Sequence, residues 1–224
     1  MTKKLITACM AIAAFAAFGL PATASATNNP DLTVESIRVK TGTGIVGTNI
    51  GNTLFLDTNG NTLVTCTDAL MTGTLKTNVT GTVEGEISKA EFSGTGAVHA
   101  DNGLPECTGS FGNAYITVRL NLCLRSTPTM TTDEFTVNGG TCAAPGNVKF
   151  IIGSTTAGAC EYETATSVKG DYTTVPKEAE LTTRPTIAGS GAKKITGGFL
   201  CPSSGMLKMT FGLETHGGNS MTIS

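Results

Sequence analysis

The residues of this chain best suited to covalent or metal chemistry are its cysteines. Apart from Cys9 near the start, six are spread along the sequence: Cys66, Cys107, Cys123, Cys142, Cys160 and Cys201. A structural metal site needs thiolates in C-x-x-C pairs or beside histidines. The nearest two, Cys107 and Cys123, are 16 positions apart, and neither His99 nor His216 lies near a cysteine pair. No metal is expected. An even number of widely spaced cysteines in an exported chain reads instead as three disulfides. Pairing in chain order (Cys66–Cys107, Cys123–Cys142, Cys160–Cys201) would tie neighbouring strands of a meander, where the chain already brings the partners close.

Other constellations are thinner. Asp57-Thr58-Asn59-Gly60-Asn61 places oxygen ligands at alternate positions, as a calcium loop does, with Asp68 where the closing carboxylate would stand. Thr62 then occupies the position that requires glycine, and the same residues make a good Asn-Gly hairpin turn. The hairpin is the expectation. His99 and His216 are the only candidate bases; His99 falls in a Gly/Ala/Asn-rich stretch and His216 precedes the Gly217-Gly218 turn, and both read as solvated loop residues. Paired carboxylates for glycoside chemistry could come from Glu84, Glu86, Asp133, Glu134, Glu161 or Glu163. Glu84 with Glu86, and Glu161 with Glu163, would each share one face of a strand, which a solvated face explains. No serine is framed as G-x-S-x-G, and no Gly-rich turn opens a helix, so neither an acyl-transfer nucleophile nor a nucleotide cofactor is indicated. No catalytic residue and no cofactor is assigned. Asn78-Val79-Thr80 fits the glycan-acceptor pattern.

The elements that must position these residues are strands. Glycine is abundant (28), tryptophan is absent, and the chain is rich in β-branched threonine, which favours strands. Ala114, Ile116, Val118, Leu120, Leu122 and Leu124 alternate with Tyr115, Thr117, Arg119, Asn121, Cys123 and Arg125, a period of two that separates two faces. Cys123 therefore falls opposite the aliphatic row, and its disulfide should lie outside the main core. Leu207, Met209, Phe211 and Leu213 repeat the pattern, as do Val148, Phe150 and Ile152. Weaker strands are read at 32–40, 53–56, 61–67, 73–78, 82–87, 134–137, 168–173 and 220–223. Turn signals such as Asn59-Gly60, Asn138-Gly139-Gly140, Pro145-Gly146 and Gly217-Gly218 separate them. The fold expected is all-β: a sandwich or barrel of many short antiparallel strands. Residues 175–194, with Pro176, Pro185, Gly189 and Gly191, read as a long connection or an insert before the last strands.

The first 26 residues have the order of a secretory signal peptide. Lys3 and Lys4 precede an uncharged apolar stretch over 5–20, and Ala24-Ser25-Ala26 supplies an A-x-A cleavage site. A lipoprotein start at Cys9 would leave almost no apolar stretch before the cysteine. Cleavage after Ala26 leaves one β domain over 27–224, with 13 basic residues against 17 acidic ones, a net charge of −4. That balance argues against nucleic acid, whose phosphates need clustered Lys and Arg. No later segment approaches a membrane span.

Ala159-Cys160-Glu161-Tyr162-Glu163, Gly170-Asp171-Tyr172-Thr173 and the run Phe199-Leu200-Cys201-Pro202-Ser203-Ser204-Gly205-Met206-Leu207-Lys208-Met209-Thr210-Phe211 resemble motifs of a family of secreted, disulfide-containing β proteins from high-GC Gram-positive bacteria. Leu63-Val64-Thr65-Cys66 with Thr72-Gly73-Thr74-Leu75 is similar to that family's earlier motif. The resemblance implies an exported, disulfide-bonded β fold, and the family carries no established activity to transfer.

Two functional expectations result. The first is a secreted, non-catalytic protein with an extracellular binding or structural role, its partner a cell-envelope component. The second is a carrier enclosing an apolar small molecule in a barrel, with the rows Ile116 to Leu124 and Met209 to Phe211 as lining. A hydrolase ranks below both.

Overall fold

The computed structural model describes residues 30–100, 102–110, 112–128, 130, 134–177, 180–187 and 191–223; the expected signal peptide and Asp133 lie outside them. The described residues form strands and no helix. A short hairpin comes first, Leu32–Val34 (β1) and Ile37–Arg38 (β2). Gly44–Asn49 (β3), Thr53–Leu56 (β4) and Thr62–Cys66 (β5) precede a long hairpin of Asp68–Val79 (β6) and Thr82–Ser93 (β7). Next come Cys107–Gly109 (β8), Gly112–Val118 (β9), Leu122–Ser126 (β10), Glu134–Thr141 (β11) and Ala144–Gly146 (β12). Lys149–Ser154 (β13), Gly158–Thr164 (β14), Val168–Lys177 (β15) and Glu180–Ile187 (β16) follow. Ala192–Thr196 (β17), Ser204–Thr215 (β18) and Thr222–Ile223 (β19) complete the set.

Antiparallel pairing runs from β3 through β6, β7, β10, β11, β15 and β16 to β18, which pairs back to β3. This closes an eight-stranded barrel. The remaining long strands hang on the same β18. Its residues 204–208 pair with β17 and β4, and the path β17, β14, β13, β9, β8, β5, β4 returns to it as a second closed circuit. Residues 209–215 of β18 belong to the barrel. Closure satisfies the ladder hydrogen bonds that an open edge would expose to other chains.

Alternation explains which side chains fill the interior. Ala114, Ile116 and Val118 are buried on β9, Leu122 on β10, and Met209, Phe211 and Leu213 on β18. The row from Ala114 to Leu124 is nevertheless two strands, not one. After Val118 the chain leaves the second circuit and enters the barrel at Leu122, and Leu120 between them is exposed. The inward phase is the same on both sides of the crossing, so periodicity alone could not reveal it.

Residues 175–194, expected as a connection, instead run largely in β15, β16 and β17. Pro176 stands opposite Leu181 and Pro185 opposite Tyr172 in the β15–β16 ladder. Proline is accommodated in a strand wherever the ladder does not use the missing N–H, so it is a weaker breaker than assumed. The strands are also less uniformly short than expected: β6, β7 and β18 each run 12 residues. The twofold alternation of β6 holds from Ala69 to Leu75 and is lost at the register shift between Leu75 and Thr77. At the other shift, between Thr72 and Gly73, a β-carbon on Gly73 would sit 2.2 Å from the Glu86 carbonyl oxygen.

The three disulfides pair as chain order predicts: Cys66–Cys107, Cys123–Cys142 and Cys160–Cys201. Cys66–Cys107 joins the paired strands β5 and β8, while Cys123 of β10 and Cys160 of β14 are bonded to the turn after β11 and the loop after β17. Cys123 and Cys142 are buried but stand outside the hydrophobic core cluster, as the phase of Cys123 requires. Three such bonds mark a chain that folds in an oxidising environment.

Asn78 is not a glycan acceptor. It is buried, its Nδ2 donates to Leu32 O (2.7 Å) and Val39 O (2.8 Å), and its Oδ1 accepts from Leu32 N (3.0 Å). It bolts the β1–β2 hairpin to the end of β6. Asn78→Leu is expected to cost about 2–3 kcal/mol, because three buried backbone groups lose their partner. Urea unfolding checks this; a midpoint within error of the parent protein would remove the bolt from the account.

Candidate functional site

Of the carboxylates considered for acid–base work, Asp133 lies outside the described residues and the other five are each committed to structure. Glu84 Oε1 accepts from Arg125 Nε at 2.7 Å, and its Oε2 from Thr77 Oγ1 at 2.8 Å. Glu86 Oε1 accepts the Cys142 N–H at 2.8 Å, and its Oε2 lies 3.0 Å from Lys76 Nζ. The Cys142 N–H, then Lys76, hold the Glu86 carboxyl below its usual range. Arg125 Nη2 also donates to Cys142 O at 3.0 Å, so the pair latches the turn carrying the Cys123–Cys142 bond. Glu161 meets Arg119 at 2.8 Å, Glu163 meets Lys149 at 3.3 Å, and Glu134 meets Lys169. Each acid faces a cation rather than a second acid.

Asp57 closes a hairpin between β4 and β5. Its Oδ1 accepts the N–H groups of Asn59 and Asn61, both at 2.8 Å, and its Oδ2 accepts Asn61 Nδ2 at 2.9 Å. These donors lower the Asp57 pKa, the Asn61 side chain contributing most. Asp68 is away on β6, bonded to Thr67 Oγ1. The turn uses the oxygens that a calcium loop would have needed.

His99 overturns its expectation. It is 2% exposed, its ring meeting Tyr115 edge-on with centroids 4.9 Å apart. A short ladder buries it: His99 N donates to Leu104 O, Glu106 N donates to Ala97 O, and Val98 pairs with Pro105. Glu106, also buried, accepts from Asn113 Nδ2 at 2.6 Å. Tyr115 lies across Gly153, where a β-carbon would fall 2.2 Å from the ring. Gly, Ala and Asn neighbours made the segment read as an open loop, whereas a glycine from another strand, Gly153 of β13, leaves room for the Tyr115 ring that covers His99. His216 is exposed in the turn after β18, as expected. His99→Ala is expected to cost about 2–4 kcal/mol and His216→Ala about 0.5 kcal/mol or less, read by urea unfolding. Equal effects would mean that the packing around His99 contributes nothing.

Among the described residues the interior side chains pack closely. In the second circuit Phe55, Phe150 and Tyr162 form an aromatic trio, with centroids 5.1 Å apart for Phe55–Tyr162 and 5.4 Å for Phe150–Tyr162. Burial pushes the Tyr162 phenol up to about 12, and its hydroxyl donates to Pro202 O at 3.2 Å. In the barrel Phe135 packs on Tyr172 at 4.7 Å, and burial raises the Tyr172 phenol as well. Three apolar voids are described, of about 40, 30 and 40 Å3. A water needs roughly 10–15 Å3 on this scale, and a bound small molecule roughly 300 Å3 or more.

One surface feature escaped the sequence reading. The loop 197–203 between β17 and β18 holds Phe199 with 94% of its surface exposed, beside Leu200 and the exposed Ile195 of β17. Nothing in the alternation pattern distinguishes an outward Phe from a core one here, because the loop has no period.

Searches against protein-family models, curated proteins and solved structures find no match to this chain.

Proposed function

We propose that this chain is an exported, non-catalytic barrel protein that works through its outer surface, binding a component of the cell envelope on a rigid disulfide-bonded scaffold. The observation that carries the reading is the close packing of the described interior side chains. An eight-stranded barrel is just wide enough for its own side chains, and here Phe, Tyr, Met and Leu occupy it. The rows considered as a ligand lining, Ile116 to Leu124 and Met209 to Phe211, contribute side chains to the core cluster, and the voids they help to line are only about 30 and 40 Å3. The A-x-A site, the three disulfides and the resemblance to secreted proteins of high-GC Gram-positive bacteria support extracellular work.

The test uses the purified mature protein. Co-sedimentation with cell-envelope fractions is expected, with no uptake of apolar probes and no turnover of generic ester or glycoside substrates. Stoichiometric burial of a small apolar molecule would replace the proposal with a carrier. Turnover lost in a His99→Gln/His216→Gln variant that keeps its fold by circular dichroism would replace it with an enzyme.

A further inference from the structure

We propose that the loop 197–203 is a lipid-surface anchor, which inserts Phe199 and Leu200 into the apolar layer of a membrane bearing anionic headgroups. The inference deepens the envelope-binding reading by naming its partner.

An apolar side chain as open as Phe199 gains nothing from the fold that displays it. Leu200 and Ile195, 37% and 43% exposed, extend the apolar surface around it. The loop is built to hold this display rigid. Cys201 ties it to β14 through Cys160, and Tyr162 donates to Pro202 O from below. Lys194 Nζ donates to Gly198 O at 3.3 Å and to Cys201 O at 3.1 Å, and Cys201 N donates to Gly198 O at 3.2 Å. The carbonyls of Gly198, Cys201 and Pro202, at the base of the tip, are thereby satisfied inside the protein, which lowers their resistance to an apolar layer. A pinned tip loses little conformational entropy on insertion.

Charge selects the surface. The segment 191–213 contains Lys193, Lys194 and Lys208 and no acidic residue, in a chain that otherwise has more acids than bases. The acids on neighbouring β14, Glu161 and Glu163, already face Arg119 and Lys149. An uncharged Gly-Gly-Phe-Leu tip with lysines at its base has the order of an interfacial anchor, aromatic and aliphatic groups in the acyl boundary and cations at headgroup depth.

The chain has no tryptophan, so Phe199→Trp gives a single emitter at the tip. Its emission is expected to shift to the blue with phosphatidylglycerol-containing vesicles and to be quenched by acyl-chain quenchers. The shift should weaken as salt rises. In sedimentation with the same vesicles, Phe199→Ser is expected to lower the partition coefficient about tenfold or more. Lys193→Glu/Lys208→Glu should lower it too, while an unchanged thermal melt and zero free thiol confirm the fold. Emission unmoved by every vesicle, or equal partitioning of Phe199→Ser, overturns the proposal. So does a blue shift that grows with protein concentration without lipid, which would assign the tip to a second copy. Retained binding to lipid-extracted envelope polymer alongside failed vesicle binding would overturn only the anchor and leave the broader reading standing.

Discussion

Replacing Cys66 and Cys107 together by alanine is expected to remove about 4 kcal/mol of stability. The two residues are 41 positions apart, and in the chain-entropy account a cross-link stabilises by restricting the unfolded chain, more so for longer loops. Both sulfurs are fully buried within the hydrophobic core cluster, so the variant also loses packing where β5, β8 and β9 meet. Cys123–Cys142 spans only 19 positions and lies outside that cluster, and its removal is expected to cost about 3 kcal/mol. Urea unfolding of the two double variants gives the order directly. A larger loss from the short-span pair would show that the Arg125, Glu84 and Glu86 latch depends on its disulfide more than the core depends on Cys66–Cys107. Thiol titration of the parent protein under denaturing, non-reducing conditions should report none free. Reductant added to the native protein should act only as fast as the protein opens, because all six sulfurs are buried.

The all-β class, the antiparallel strands and the cysteine pairing were legible because each rests on a local signal. Val148, Phe150 and Ile152 alternate, Asn59-Gly60 turns, and neighbouring strands bring successive cysteines together. The choice of a closed barrel over a sandwich was not, since closure rests on β16 and β3 meeting β18 far along the chain. The second circuit was not legible. It exists because β18 changes partners at Lys208, from β4 and β17 to β3 and β16, and no residue there announces a change of neighbour. His99 shows the same limit at a single residue. Its burial comes from Tyr115 and from the ladder with Leu104, contacts that spacing within residues 94–106 does not encode. Phe199 is the reverse case, an apolar residue exposed at the tip of a loop that a disulfide and a lysine pin at its base. The glycan motif at Asn78 matched in composition and failed in place, since the side chain was already taken by Leu32 and Val39.

Phe55→Ala tests whether the interior is filled or merely closed. Phe55 is 1% exposed and packs against Tyr162 at 5.1 Å and Phe150 at 6.0 Å between centroids. Its ring lies over Gly205 of β18, where a β-carbon would come within 2.2 Å of it, so this ring and this glycine fit only one another. Truncation to alanine is expected to cost about 3–5 kcal/mol through lost burial and the cavity left behind. That cavity would merge with the void of about 40 Å3 that Phe55 already lines together with Val64, Ile152 and Tyr162. An enlarged apolar hole stays dry and accepts small aromatic molecules. Benzene should therefore raise the melting temperature of Phe55→Ala in a concentration-dependent way and leave the parent protein unchanged, because a ligand stabilises only the state that binds it. An equal benzene effect on both would mean that the parent interior opens readily enough to hold a guest. The filled core would then no longer argue for work done at the surface, and a carrier would become the better account of the same aromatic residues.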